Sequence, residues 1–142
     1  MAYDQAAITC NVSGSHLVTV DSREENDFLL SLAAGTDAWI GYNDIAKEGS
    51  FKWIHGESNF TDWYPGEPNN GIGFGIGFED CGILGHPVGI VYWNDVNCAT
   101  SHVGFCGREL PKATCIDSYM AHGSNCENIR QEKHTMQFRI VI

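Results

Sequence analysis

Trp63-Tyr64-Pro65-Gly66-Glu67-Pro68-Asn69, followed by Glu79-Asp80-Cys81 and Trp93-Asn94-Asp95, is the stretch on which the reading of this chain turns. It gathers oxygen-bearing side chains that no hydrophobic core requires. A hard cation such as Ca²⁺ takes about six to eight oxygen ligands, and carboxylates mixed with side-chain amides supply them without the thiolates or imidazoles that softer metals prefer. Glu67, Asn69, Glu79, Asn94 and Asp95 form such a set. Because the asparagine oxygens carry no charge, the set stays only slightly negative once a divalent ion is bound. Pro68 adds geometry, since an X-Pro bond adopts the cis form at modest cost and would then point Glu67 and Asn69 the same way.

Working outward, Trp39-Ile40-Gly41 lies upstream, and Cys98 and Phe105-Cys106 lie downstream. Taken in this order and spacing, the motifs resemble the C-type lectin-like domain, and the match covers residues 1 to about 110. The resemblance implies an α+β fold with two helices, small antiparallel sheets and a long irregular calcium-binding loop region. It implies that Glu67, Asn69, Glu79, Asn94 and Asp95 hold a calcium ion that also binds sugar. An auxiliary calcium maps to Asp44, Glu48, Asn70 and Asp80, with Glu79 bridging. It further implies two disulfides, Cys10 with Cys106 and Cys81 with Cys98. In that family Glu-Pro-Asn accompanies mannose-type sugars, here mannose, fucose, glucose or N-acetylglucosamine, whereas Gln-Pro-Asp accompanies galactose.

Composition bounds the alternatives. A chain of 142 residues, 43% apolar and 18% charged, can bury one core. No stretch approaches the roughly 20 apolar residues of a membrane span. A net charge of -10 argues against nucleic acid and anionic membrane surfaces as partners. Six cysteines point to an oxidising compartment, and by themselves they allow fifteen pairings. The sequons Asn11-Val12-Ser13 and Asn59-Phe60-Thr61 fit a secreted or extracellular glycoprotein, although Met1-Ala2-Tyr3-Asp4 shows no signal peptide.

Local patterns place the elements. His16 to Val20 is β-prone, and Ser22-Arg23-Glu24-Glu25 is a capping box that opens a helix. Phe28, Leu29 and Leu32 give that helix an apolar stripe, and Gly35 suits its end. Trp39 to Tyr42, Phe51 to Ile54, Ile90 to Trp93 and Val103 to Cys106 read as strands. From His55 to Gly89, glycine, proline and the lack of periodicity argue for one long loop region. Within it, Gly71-Ile72-Gly73-Phe74 repeats as Gly75-Ile76-Gly77-Phe78, which is either a tolerated insertion or a flap presenting Phe74 or Phe78 to a sugar ring. It lacks the spacing of a dinucleotide fingerprint.

Several bland readings compete. A single acidic residue such as Asp44 or Glu48 is usually solvated surface, and Trp39, Trp53, Trp63 and Trp93 are more often core than sugar platforms. The histidines lack His-Glu-x-x-His spacing and no Gly-x-Ser-x-Gly elbow occurs, so hydrolytic chemistry has no sequence support. Glu79 and Asp80 are adjacent, but glycoside cleavage needs two carboxyls several ångströms apart across a bond.

The chain opens at Tyr3-Asp4-Gln5-Ala6-Ala7, which resembles the middle of the family's first helix, so the resemblance implies that the first strand is missing and that a sheet edge should lie exposed. Residues 111 to 142 form a tail outside the family pattern. It carries Cys115 and Cys126, for which a mutual bridge is the simplest use and an intermolecular link the rival. Its β-prone end, Met136 to Ile142, is an alternative cover for the strand around Phe105. The whole reads as a calcium-dependent lectin without catalytic activity, bound to glycans or glycoproteins with terminal mannose-type sugars and gaining avidity as a homo-oligomer. The reading from another class is a protein- or surface-binding domain that uses calcium only structurally.

Overall fold

A computed structural model describes residues 1–71, 78–86, 90–109 and 136–142. The elements run α1 (Tyr3–Val12), β1 (His16–Leu17), α2 (Arg23–Ala33), β2 (Ala38–Asn43), β3 (Lys52–Trp53), β4 (Cys81–His86), β5 (Ile90–Val96), β6 (Val103–Glu109) and β7 (Met136–Val141). The α+β class is as expected. Instead of separate small sheets, the seven strands join into one, ordered β1-β6-β2-β4-β5, with β3 on β2 and β7 on β6. Every pairing is antiparallel except β2 with β6, so the sheet is mixed.

Strand alternation explains the two helices. Successive side chains of a strand face opposite ways, and β2 sends Trp39 to one side while Ala38 and Ile40 face the other. β4 divides Ile83 from Leu84, and β6 divides Cys106 from Phe105, in the same manner. α1 covers the first face with Tyr3, Ala6 and Cys10; α2 covers the second with Leu29 and Ala33. Both expected disulfides are present, Cys10–Cys106 tying α1 to β6 and Cys81–Cys98 tying β4 to the turn after β5.

The capping box forms with a variation. Ser22 Oγ accepts the Glu25 amide at 3.3 Å, but the Glu25 carboxylate reaches past Ser22 to accept the Asp21 amide at 2.8 Å. The helix ends with Ala34 and Gly35 both at positive φ, 50° and 86°. The expected apolar stripe needs correction: Phe28 and Leu32 are largely exposed, and the buried face is Asn26, Leu29 and Ala33. A buried polar Asn26 is invisible to hydrophobic periodicity.

The long loop region also needs correction, since Cys81–His86 is a strand between β2 and β5. Its glycines serve strand packing. A Cβ on Gly82 would lie 2.9 Å from the Tyr42 carbonyl oxygen, so glycine here permits close strand approach. Gly85, at φ +91°, sits where the β4–β5 register shifts. β1 is shorter than expected, with Val18 to Val20 continuing outside a ladder while Val18 and Val20 remain buried.

The tail's end joins the fold. β7 runs antiparallel along β6 from Gly104↔Val141 to Glu109↔Met136, covering the edge that would otherwise lie open. Val141 is buried in the α1-side core, packed so closely over Gly104 that a Cβ there would lie 3.0 Å from it. Cys115 and Cys126, and the repeat from Ile72 to Gly77, lie outside the described residues. Replacing Val141 by alanine removes two buried methyl groups and should lower unfolding free energy by about 1.5 kcal/mol. Urea unfolding checks this, and an unchanged midpoint would take β7 out of the core.

Candidate functional site: a cluster of oxygen donors at the loop end of the sheet

Trp93 positions the site. Its ring is fully buried among Tyr42, Trp53, Phe60 and Trp63, as expected for a core tryptophan. Its indole N–H donates to Asn26 Oδ1 at 2.8 Å. Asn26 Nδ2 in turn donates to Asp62 Oδ2 at 3.0 Å, and Arg23 clamps both Asp62 oxygens at 2.6 and 2.8 Å. The main chain repeats the connection: the Trp93 amide donates to the Asp62 carbonyl at 2.8 Å, and the Tyr64 amide to the Trp93 carbonyl at 2.9 Å. Segment 62–64 is thereby fastened alongside β5, and it leads directly into Glu67. Sequence reading missed Arg23, Asn26 and Asp62, because contacts 36 to 67 residues apart leave no local pattern.

At the next positions of β5 stand Asn94 and Asp95. The buried Asp95 carboxylate accepts the Asn69 amide at 3.1 Å and the Asn70 amide at 2.8 Å, which draws the Glu67–Asn69 loop onto the strand. The Glu67–Pro68 peptide is cis. Asn69 Nδ2 donates to Glu67 Oε1 at 2.7 Å, and Asn69 Oδ1 accepts from the Gly71 amide at 2.7 Å. Asn70 Oδ1 accepts the Glu79 amide at 2.8 Å, so Glu79 is tied to the same loop.

Carboxylates crowd here. Burial pushes the Glu67 carboxyl up to about 7, and Asp95 and Glu79 beside it push in the same direction. Glu79 is raised by burial and then by Asp95. Asp80 is raised by burial and by its neighbours Asp44 and Asp95. Glu48, at the surface, is raised by the desolvation it experiences and by Asp44 and Asp80. Thus Asp44, Glu48 and Asp80 form a second acidic group, linked to the first through Asp95. The Asp44 amide donates to the Asp80 carbonyl at 3.0 Å, and Asp44 Oδ2 accepts the Gly49 amide at 2.8 Å. Asn70, expected in this second group, spends its side-chain oxygen on Glu79.

Three buried side-chain atoms among the described residues lack any hydrogen-bond partner: Glu67 Oε2, Asn94 Oδ1 and Asp44 Oδ1. All three are oxygens of expected donors. An unpartnered buried oxygen costs on the order of 1–3 kcal/mol, more when charged, and so calls for a partner such as an ion. Hard oxygen donors with surplus negative charge fit Ca²⁺. Among the described residues no three His, Cys, Asp or Glu side chains are gathered tightly enough to hold a metal unaided.

Residues 1–108 match the family model described as the Lectin C-type domain. The hepatic lectin of Gallus gallus is 36% identical over 115 residues, which are 79% of this chain and 52% of that protein. The chain spans between about a third and a half of the length of the first curated relatives it matches. Among solved structures, the cow C-type carbohydrate-recognition domain of CD23, determined in the presence of GlcNAc2Man3 oligosaccharide, superposes with a TM-score of 0.64 at 33% identity, covering 75% of this chain and 78% of that one. A calcium-independent type II antifreeze protein also superposes with a TM-score of 0.64, at 27% identity and covering 75% of this chain and 77% of that one.

Two measurements probe this geometry. Replacing Asn26 by alanine strands the buried Trp93 N–H and should cost about 1–3 kcal/mol in urea unfolding. The second concerns pH. A carboxyl whose folded pKa lies near 7 retains a proton that the unfolded chain, near 4.3, has released. Stability without calcium should therefore decline as pH rises from about 4.5 to 7, then level off. Glu67→Gln should flatten that decline; an unaltered slope in chelator would show that Glu67 is not the strained group.

Proposed function

The chain belongs to the C-type lectin domain family, whose relatives here are lectins and receptors and not enzymes, and from that premise we propose that it binds carbohydrate through calcium held by Glu67, Asn69, Glu79, Asn94 and Asp95. The observation that carries this reading is the pair of unpartnered buried oxygens, Glu67 Oε2 and Asn94 Oδ1, on the two motifs that the loop and β5 bring together. A bound calcium ion supplies coordination positions that two neighbouring sugar hydroxyls fill in place of water.

The protein's own groups do the rest. Glu67 and Glu79 offer carboxylate oxygens to the hydroxyl hydrogens, and the amide N–H groups of Asn69 and Asn94 donate to the hydroxyl oxygens. Asn69 already donates to Glu67 and accepts from Gly71, so metal uptake competes with those two bonds. Asp95 remains braced by the amides of Asn69 and Asn70. Asp44, Glu48, Asn70 and Asp80 are proposed to hold an auxiliary calcium, supported by the unpartnered Asp44 Oδ1.

The Glu67-Pro68-Asn69 tripeptide favours mannose-type sugars, mannose, fucose, glucose or N-acetylglucosamine, on glycans or glycoproteins. Homo-oligomers would raise avidity without new contacts. Two disulfides and the exposed sequon residues Asn11 and Asn59 favour a secreted or extracellular glycoprotein. Among the described residues no helix is long and apolar enough to cross a membrane. The second reading, sugar-independent binding to a protein or surface, is favoured by the likeness to a calcium-independent antifreeze protein.

Titration calorimetry with methyl α-mannoside separates the two. Binding should appear in millimolar calcium, vanish with chelator, and weaken at least tenfold in Asn94→Ala. The double substitution Glu67→Gln, Asn69→Asp should move preference from mannose toward galactose. Calcium uptake with no heat from any monosaccharide would favour the second reading.

A further inference from the structure

Away from the loop site, a cleft of about 680 Å³ opens between β1 with its continuation, the first turns of α2, the loop from His55 to Glu57, and strands β6 and β7. That volume lies within the range of ligand pockets, roughly 300–1,000 Å³. Phe28 and Phe138 form one wall, with ring centroids 5.6 Å apart. Phe28 is the large apolar residue that α2 leaves 48% exposed. His16 and His55 also line the cleft and stack with ring centroids 3.7 Å apart, within 11° of parallel.

The charge of the cleft is one-sided. Asp21, Glu24, Glu25 and Glu57 line it, against Arg108 alone. Arg108 is partly committed, since its Nε donates to Gln137 Oε1 at 2.7 Å. Burial and the adjacent His55 both disfavour the charged form of His16, so that imidazole does little to offset the carboxylates. Glu25 contributes less than the others: burial raises its carboxyl to about 7, with Asp21 adding to the rise, and it accepts the Asp21 amide.

We propose that this cleft docks a basic peptide segment of a partner protein, seating an arginine or lysine between the Phe28–Phe138 wall and the carboxylates of Glu24 and Glu57. An arginine suits both features at once. Its guanidinium packs on aromatic faces and bonds carboxylates, and its stem covers apolar surface. A second copy of this chain is the wrong occupant, since it would bring its own net charge of -10. The proposal does not depend on calcium or sugar.

The test titrates acetyl-Arg-Leu-Arg-Leu-amide into the ¹⁵N-labelled full chain in chelator and low salt, with acetyl-Glu-Leu-Glu-Leu-amide as the counterpart. The basic peptide should shift amide resonances of residues 16–28 and 55–57, and the acidic one should not. Affinity should fall at least fivefold in Glu24→Gln/Glu57→Gln, whose positions are exposed and carry no cap. Phe28→Ala, checked for native circular dichroism, should weaken it similarly. The absence of shifts in the cleft, equal binding of the acidic peptide, or full affinity in the charge variant would each overturn the proposal.

Discussion

The buried hydrogen bond from the Trp93 indole to Asn26 is the constraint on which the site depends. An indole N–H taken out of water needs a partner, and α2 supplies one that is itself locked through Asp62 to Arg23. Because side chains alternate along a strand, a one-residue slip would put Trp93 in solvent and turn its neighbours inward. Fixing Trp93 therefore fixes Asn94 and Asp95. The bonds from segment 62–64 to the Trp93 backbone extend the same hold to the Glu67–Asn69 loop. The core and the oxygen cluster thus share one strand, β5.

Much of this was legible because local chemistry dominates it. Glu67-Pro68-Asn69 and Trp93-Asn94-Asp95 stood out by residue type and the fold brings them together, and the two cysteine pairs followed from the family pattern. Ser22 and Glu25 disclosed the start of α2 because a cap acts over three residues. The failures share a different cause. Gly82 and Gly85 read as loop because nothing nearby shows that the Tyr42 backbone will press against β4. Asn26 gave no signal because its partners, Asp62 and Trp93, are distant in sequence. The cleft was not foreseen either, since its walls come from β1, α2, the loop after β3, β6 and β7.

Two surfaces with different chemistry share one acidic molecule. At the loop end, carboxylates are crowded by amide donors and leave buried oxygens unpartnered, an arrangement whose chemistry fits a small, hard ion. In the cleft, carboxylates line aromatic and imidazole walls of far larger dimension, where a compact ion would leave the apolar surface uncovered. The same net charge therefore implies different ligands according to how closely the oxygens converge.

The pairing of β7 with β6 also bears on how the chain matures. During vectorial synthesis, β6 emerges from the ribosome well before its outer neighbour, so for that interval an apolar ribbon edge has no mate. Nascent chains in that condition are open to intermolecular strand exchange. The Cys10–Cys106 link can close in the interval, since both thiols are already present. Oxidation thus offers a way to hold the unfinished barrier of strands against misassembly until the last ribbon arrives.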